Sequence, residues 1–217
     1  VIKTAEEQQG LMSLVGSEDK HLLRKCPCPV LLLNSAVPVK FKTILATVDI
    51  SDNYPEDELT TRYELGVRTL QLATTLALSE FAQLHVICAW QAEGVSFLDS
   101  GFGRVPETEV DVYISNVKHH YDKALDNLIE DAFRNLDTKT RKFLELRRHL
   151  VQGNARGEIP RQAALLKADV VVMGTIARSG IPGFFIGNTA ETILDQLNCS
   201  VLALKPAGFV SPVSPDQ

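Results

Sequence analysis

The chain has 217 residues, of which 45% are hydrophobic and 23% charged, a balance that buries one full α/β core and is too apolar for a disordered polymer. Its formal net charge of −5, with Lys and Arg scattered rather than massed, supplies no basic footprint for phosphate backbones, so nucleic acid is not an expected partner. No apolar run approaches the roughly 20 residues that span a bilayer and no basic-then-apolar leader opens the chain, which predicts a cytoplasmic protein with no membrane span.

The chain opens on Val1 with no initiating Met, which points to sequence lying before it. A repeat follows. Gly16-Ser17 and the stretch DKHLLRKCPCPVLLL (19–33) match Gly187-Asn188 and AETILDQLNCSVLAL (190–204) at a constant offset, since 187 − 16 = 171 and 199 − 28 = 171. Each copy reads as a helix and then a buried strand. Residues 1–40 therefore read as the last helix and strand of a first copy of one unit.

From Phe41 the chain alternates. Lys42 to Asp49 and Leu84 to Trp90 are short, β-branched apolar runs, predicted as buried strands. Between them, Leu59 to Phe81 has helical spacing, with Pro55 near its start. A loop carrying Gly94, Gly101, Gly103 and Pro106 leads to an amphipathic helix over Glu109 to Leu136. Leu144 to Val151 predicts a strand, Glu158 to Lys167 a short helix beginning around Pro160, and Asp169 to Met173 a fully buried strand. A final helix (Asn188 to Leu197) and strand (Cys199 to Leu204) complete the series, and Pro206 to Gln217 reads as a flexible tail without evident chemistry. Strands that alternate with helices and lack a polar face predict a doubly wound, five-stranded parallel sheet. Ligands of such sheets sit beyond the strand carboxyl ends where strand order reverses, which directs attention to Asp49, Val86 and the loop after Met173.

That loop runs Gly174-Thr-Ile-Ala-Arg-Ser-Gly180-Ile-Pro-Gly183-Phe-Phe-Ile-Gly187-Asn188-Thr189 into a helix start with Glu191 in its first turn. Glycines let backbone N–H groups approach an anion, and a helix N-terminus favours phosphate. The same residues also suit a plain connection in which Asn188 or Thr189 caps the helix. Of the four cysteines, Cys26, Cys28, Cys88 and Cys199, none has zinc spacing, and burial beside apolar strands is the plain reading. Cys26-Pro27-Cys28 as a redox pair is the alternative, although no helix N-terminus is placed to lower a thiol pKa.

VVVMGTIARSG…GNTAE resembles the universal stress protein motif G-x2-G-x9-G-(S/T), and ATVDIS and LHVI on the first two strands resemble the family's other signatures. The resemblance covers Phe41 to Pro206, and with the repeat the chain is similar to tandem, UspE-type members. It implies an adenine nucleotide α-hydrolase-like, Rossmann-like domain over 41–206, a remnant of a preceding copy over 1–40 and a tail over 207–217. By that resemblance Asp49, beside Thr47, meets an adenine, and Val86 and Met173 line the base pocket. Gly174 faces the ribose, while Gly187, Asn188 and Thr189 serve the phosphates. Two positions depart from the motif: Ala177 stands where the second Gly belongs, and Asn188 where Ser or Thr does. Arg178 adds positive charge nearby. Glu6 holds the Ala177 position in the first copy.

The resemblance implies a non-enzymatic sensor or adaptor of the stress response with a degenerate ATP or AMP pocket. The alternative is a genuine ATP-binding member with slow hydrolysis or autophosphorylation, and a lipid-like occupant of an apolar pocket also stays open. An adenylating enzyme of the related class needs an SGGxDS-type loop after strand one, where this chain has the acidic ATVDISDNYPEDE. His119-His120 reads as an exposed helix face, and Asp49, Asp52, Glu56, Asp57 and Glu58 as a solvated loop rather than a cation site. An open sheet protects its last strand by pairing, and the resemblance implies that the final strands, Val30 to Leu33 and Val201 to Leu204, approach each other, as a pseudo-dimer within the chain or as a homodimer.

Overall fold

The computed structural model describes residues 1–4, 17–35, 40–95, 106–175 and 186–211. In chain order these form β1 (Ile2–Thr4), α1 (Ser17–Lys25), β2 (Val30–Leu33), β3 (Thr43–Val48), α2 (Glu56–Glu80), β4 (Gln83–Trp90), α3 (Glu107–Phe133), α4 (Thr138–Phe143), β5 (Leu146–Gln152), α5 (Ala155–Leu166), β6 (Val170–Gly174), α6 (Asn188–Leu194) and β7 (Ser200–Leu204). Every strand and helix expected from Phe41 onward is present, with ends moved by a few residues. The short α4 and the three-residue β1 are additions: α4 has almost no apolar face and owes its start to Asp137, whose carboxylate accepts the N–H groups of Lys139 (2.8 Å) and Thr140 (3.0 Å).

All strands join one sheet in the order β1-β2-β7-β6-β3-β4-β5. The five strands of residues 43–204 run parallel, as expected. The sheet is larger than five because β2 lies antiparallel on β7, Val30 opposite Ala203 and Leu32 opposite Val201, and β1 lies parallel beside β2. The apolar strand β7 thus presents no free edge. Across that pairing the equivalent repeat helices α1 and α6 also meet: Lys20 Nζ lies 2.6 Å from Asp195 Oδ1, and Arg24 Nη2 lies 2.8 Å from Glu191 Oε1.

Two apolar cores sandwich the sheet, and the period-two alternation of the strands feeds both. Ile44, Ala46, Val48, Leu84, Val86, Cys88, Val170 and Val172 face α2 and α3. Leu45, Ile87, Val171, Met173, Val201 and Ala203 face α1, α5 and α6. Helix α2 buries Leu65, Gly66, Thr69, Leu70, Ala73, Thr74 and Ala77, the three- and four-residue spacing of one helical face. At Gly66 this helix meets α3 so closely that a Cβ would stand 3.2 Å from Leu128 Cδ2. Among the described residues no helix is long and apolar enough to cross a membrane.

Candidate functional site

Strand order reverses at β3, which has β4 on one side and β6 on the other. Beyond the carboxyl ends of β3 and β6 a cavity of about 1290 Å³ opens, which is the place such sheets offer to a ligand. Of the sequence-predicted site residues, the structure brings Thr47, Asp49, Met173, Gly174, Gly187, Asn188 and Thr189 to its lining. Ala177 and Arg178 lie outside the described residues. Val86 is not in the lining: it sits in mid-strand opposite Ala46, fully buried against the α2/α3 face. The strand β4 reaches the cavity only at its end, through Ala89 and Trp90 and the following Gln91.

Asp49 is already engaged. Its Oδ2 accepts hydrogen bonds from Tyr54 OH and from Arg62 Nη1, each at 2.9 Å, and its Oδ1 accepts the Ser51 N–H at 3.2 Å. The Arg62 guanidinium lies 3.3 Å from the Tyr54 ring centroid and also bonds Glu58 Oε2 at 3.3 Å. Arg62 is 11% exposed, so its charge is held by two carboxylates and a ring face rather than by water. Burial first, and then the Asp49 carboxylate, push the Tyr54 hydroxyl up to about 12, which keeps it a neutral donor. The sequence groups Glu58 with Asp49 only as members of an acidic loop, and it singles out neither Tyr54 nor Arg62; the spacing of Glu58 and Arg62 at i and i+4 was the available signal.

The opposite wall is aromatic. Trp90 is 3% exposed, its indole Nε1 has no hydrogen-bond partner among the described residues, and its ring stands 6.0 Å from that of Tyr121. Tyr121 follows His120, whose Nε2 lies 3.2 Å from Asp52 Oδ2. Helix α3 thus reaches the cavity through Tyr121, while His119 and His120 are exposed, as expected. Pro206, Ala207, Gly208, Phe209, Val210 and Ser211 also line the cavity, so this part of the expected tail belongs to the site. It returns through a turn in which Phe209 N–H donates to Pro206 O (3.3 Å) with Gly208 at φ +77°.

Two glycines have different causes. A Cβ on Gly174 would stand 2.6 Å from Leu65 Cδ2, so α2 packing on the end of β6 explains this residue without a ligand. A Cβ on Gly187 would meet nothing nearer than Thr175 O at 3.9 Å. Gly187 is the N-cap of α6, with no side-chain cap; Asn188, expected to cap, is instead the first helical residue. The helix is seven residues long and ends at Leu194, short of Leu197, so its dipole is small. In the first copy, Lys3 stands at the repeat position of Gly174 (3 + 171 = 174) and its Nζ lies 2.8 Å from the buried carboxylate of Asp19, the counterpart of Ala190. An ion pair thus joins the counterparts of two cavity-lining residues, Gly174 and Ala190.

Among the described residues no three His, Cys, Asp or Glu side chains converge as metal ligands. Trp90, Tyr121 and Met173 give the cavity an apolar wall, and Asp49 and Arg62 give it a charged end.

Residues 64–205 match the model of the universal stress protein family. Over all 217 residues the chain is 29% identical to universal stress protein E of Salmonella typhi and 28% identical to that of Escherichia coli (strain K12). It spans 64% and 63% of their lengths, less than two thirds of these relatives. A functionally unknown protein of Pseudomonas aeruginosa PAO1, 32% identical, superposes with a TM-score of 0.66 over 94% of this chain and 62% of that one. A universal stress protein of Archaeoglobus fulgidus DSM 4304 shares the fold at 16% identity, with a TM-score of 0.52 over 87% of this chain and 54% of that one. With its family model, relatives matched along the whole of this chain and its doubly wound sheet in agreement, the chain belongs to the universal stress protein family.

Proposed function

We propose that the chain is a non-enzymatic sensor or adaptor module of the stress response, with residues 41–206 as a complete domain and 1–40 as the end of a preceding copy paired to it within the chain. Its cavity is a degenerate adenine-nucleotide pocket. The observation that carries this reading is the state of Asp49: the carboxylate that a base would have to engage is held by Tyr54, Arg62 and the Ser51 backbone. A nucleotide would have to break that cluster and leave Arg62, a charge with little access to water, short of a partner. Ala177 in the motif and the seven-residue α6 weaken the phosphate end in the same direction.

The second reading, ATP binding with slow hydrolysis or autophosphorylation, draws support from Gly187, Asn188 and Thr189 on the wall and from the unpartnered Trp90 Nε1. Mass spectrometry of the fraction released when the purified protein is denatured separates the two. The expected outcome is no ATP or ADP near one per chain. A stoichiometric nucleotide would overturn the degenerate-pocket reading and install the second, whereas a lipid in the fraction would keep the adaptor reading and identify the guest.

A further inference from the structure

On the far side of the molecule's repeat seam from the α2 helix, the connection between α1 and β2 brings two thiols together. Cys26 Sγ and Cys28 Sγ are 3.6 Å apart, close enough for one to donate to the other. Both flanks of the pair are anchored: the Cys26 N–H donates to Leu22 O (2.9 Å) in the last turn of α1, and β2 begins at Val30. Between them the backbone bends at Pro27 and Cys28, which turns side chains two residues apart toward one another instead of along an extended chain. Cys28 is exposed and Cys26 is half-buried, so one sulfur is open to a small oxidant while the other waits beside it. The remaining thiols differ: Cys88 and Cys199 are buried, and burial pushes each up to about 12. Burial pushes the Cys26 thiol up as well, which leaves Cys28 as the more accessible attacking sulfur.

We propose that Cys26 and Cys28 form a reversible dithiol–disulfide couple whose oxidant is a hydroperoxide. The Cys28 thiolate attacks the peroxide O–O bond, taking the terminal oxygen as a sulfenic acid and releasing an alcohol, or water from hydrogen peroxide. The Cys26 thiol then attacks the Cys28 sulfur, the S–S bond forms, and the sulfenic oxygen leaves as water. In sum, two thiols and one hydroperoxide give one disulfide, one alcohol and one water. A disulfide S–S distance of about 2.04 Å requires the sulfurs to close by about 1.5 Å, within reach of side-chain rotation. The ring so formed is small and bent, which places the bond among the strained, readily reduced ones; a cellular dithiol restores both thiols by exchange. The couple also lies at a charged place. Lys205 follows β7, beside β2, and donates from Nζ to Leu23 O of α1, three residues before Cys26.

The test treats the full chain with a small excess of hydrogen peroxide, quenches it and counts thiols in denaturant. Thiols should fall from four to two, and peptide mapping should find one peptide containing Cys26 and Cys28 lighter by two hydrogens, restored by dithiothreitol. In Cys28→Ser all three remaining thiols should stay titratable under the same exposure. An oxygen-adduct series on Cys28 with Cys26 free, or a disulfide joining two chains, would overturn the proposal, as would four thiols surviving the treatment. None of these readouts depends on what occupies the cavity.

Discussion

Position along a strand decides what a residue can touch. Asp49 follows the last residue of β3 and reaches the cavity, whereas Val86, four residues before the end of β4, is enclosed between α2 and the sheet. The same rule places His85, one residue earlier, on the other face. Its Nδ1 lies 2.8 Å from His149 Nε2, its Nε2 lies 2.8 Å from Gln83 Oε1, and the two rings stack at 5.0 Å. Burial, and then the charges of His149 and Arg147, hold His85 down to about 4; burial lowers His149 as well. In the unfolded chain these rings take a proton near pH 6.5, so below that value the unfolded state binds more protons than the folded one. Stability contributed by the neutral pair is therefore present above about pH 6.5 and is lost as pH falls toward 4. Denaturant midpoints measured across this window should decline steadily, and the His85 ring should titrate by NMR only near its lower end; a His85 midpoint near 6.5 would contradict the stacked neutral pair.

At the scale of elements, the ends of helices obey local chemistry and their interiors obey neighbours. Helix α5 starts at Ala155, three residues ahead of the sequence expectation, because the Asn154 side chain accepts the Arg156 N–H at 2.9 Å and Pro160 is tolerated inside the helix. Pro160 cannot donate to the carbonyl of Arg156, and that oxygen instead accepts Gln196 Nε2 at 3.2 Å. The missing bond is replaced from α6's following turn. The other end of α5 stops on Lys167 in the left-handed region, φ 52°, where a side chain is disfavoured and glycine is not. Lys167 is exposed, so Lys167→Gly should raise stability by up to about 1 kcal/mol, seen as a higher thermal midpoint; a decrease would show that the lysine side chain contributes contacts that outweigh the strain.

For the whole molecule the repeat is the informative symmetry, because its two copies are not equivalent where they meet. Lys20 and Glu191 occupy the same repeat position (191 − 20 = 171), as do Arg24 and Asp195 (195 − 24 = 171). The first copy is basic at both and the second acidic, and they pair crosswise over the seam. Two second copies placed together in this way would oppose four carboxylates, so the charges favour pairing of unlike copies. The pairs are partly exposed, which limits each to under about 1 kcal/mol. Glu191→Lys combined with Asp195→Lys should lower stability by on the order of 1 kcal/mol, more so at low salt, and adding Lys20→Glu with Arg24→Glu should recover most of the loss in denaturant titrations. No recovery would show that the seam rests on apolar contacts of β2 and β7 alone.

The alternation of apolar runs with helical periods was enough to specify a parallel sheet with helices on both faces, because burial on two sides leaves no polar face on a strand. That Asp49 after β3 and Gly174 at the end of β6 stand at a cavity was legible for a related reason: the carboxyl ends of such strands, where their order reverses, leave a crevice. Periodicity could not reveal β1, since three residues contain no measurable period, nor α4, whose start depends on one capping side chain. It could not distinguish Val86 from Trp90 as the cavity residue of β4, because depth along a strand is set by its register against β3 and β5. Nor could it show that Asp49 is held by Arg62 and Tyr54, that Phe209 turns back to the cavity, or that Cys26 and Cys28 face one another. Those juxtapositions belong to the tertiary structure, which alone fixes side-chain direction and brings together residues that local sequence treats as unrelated.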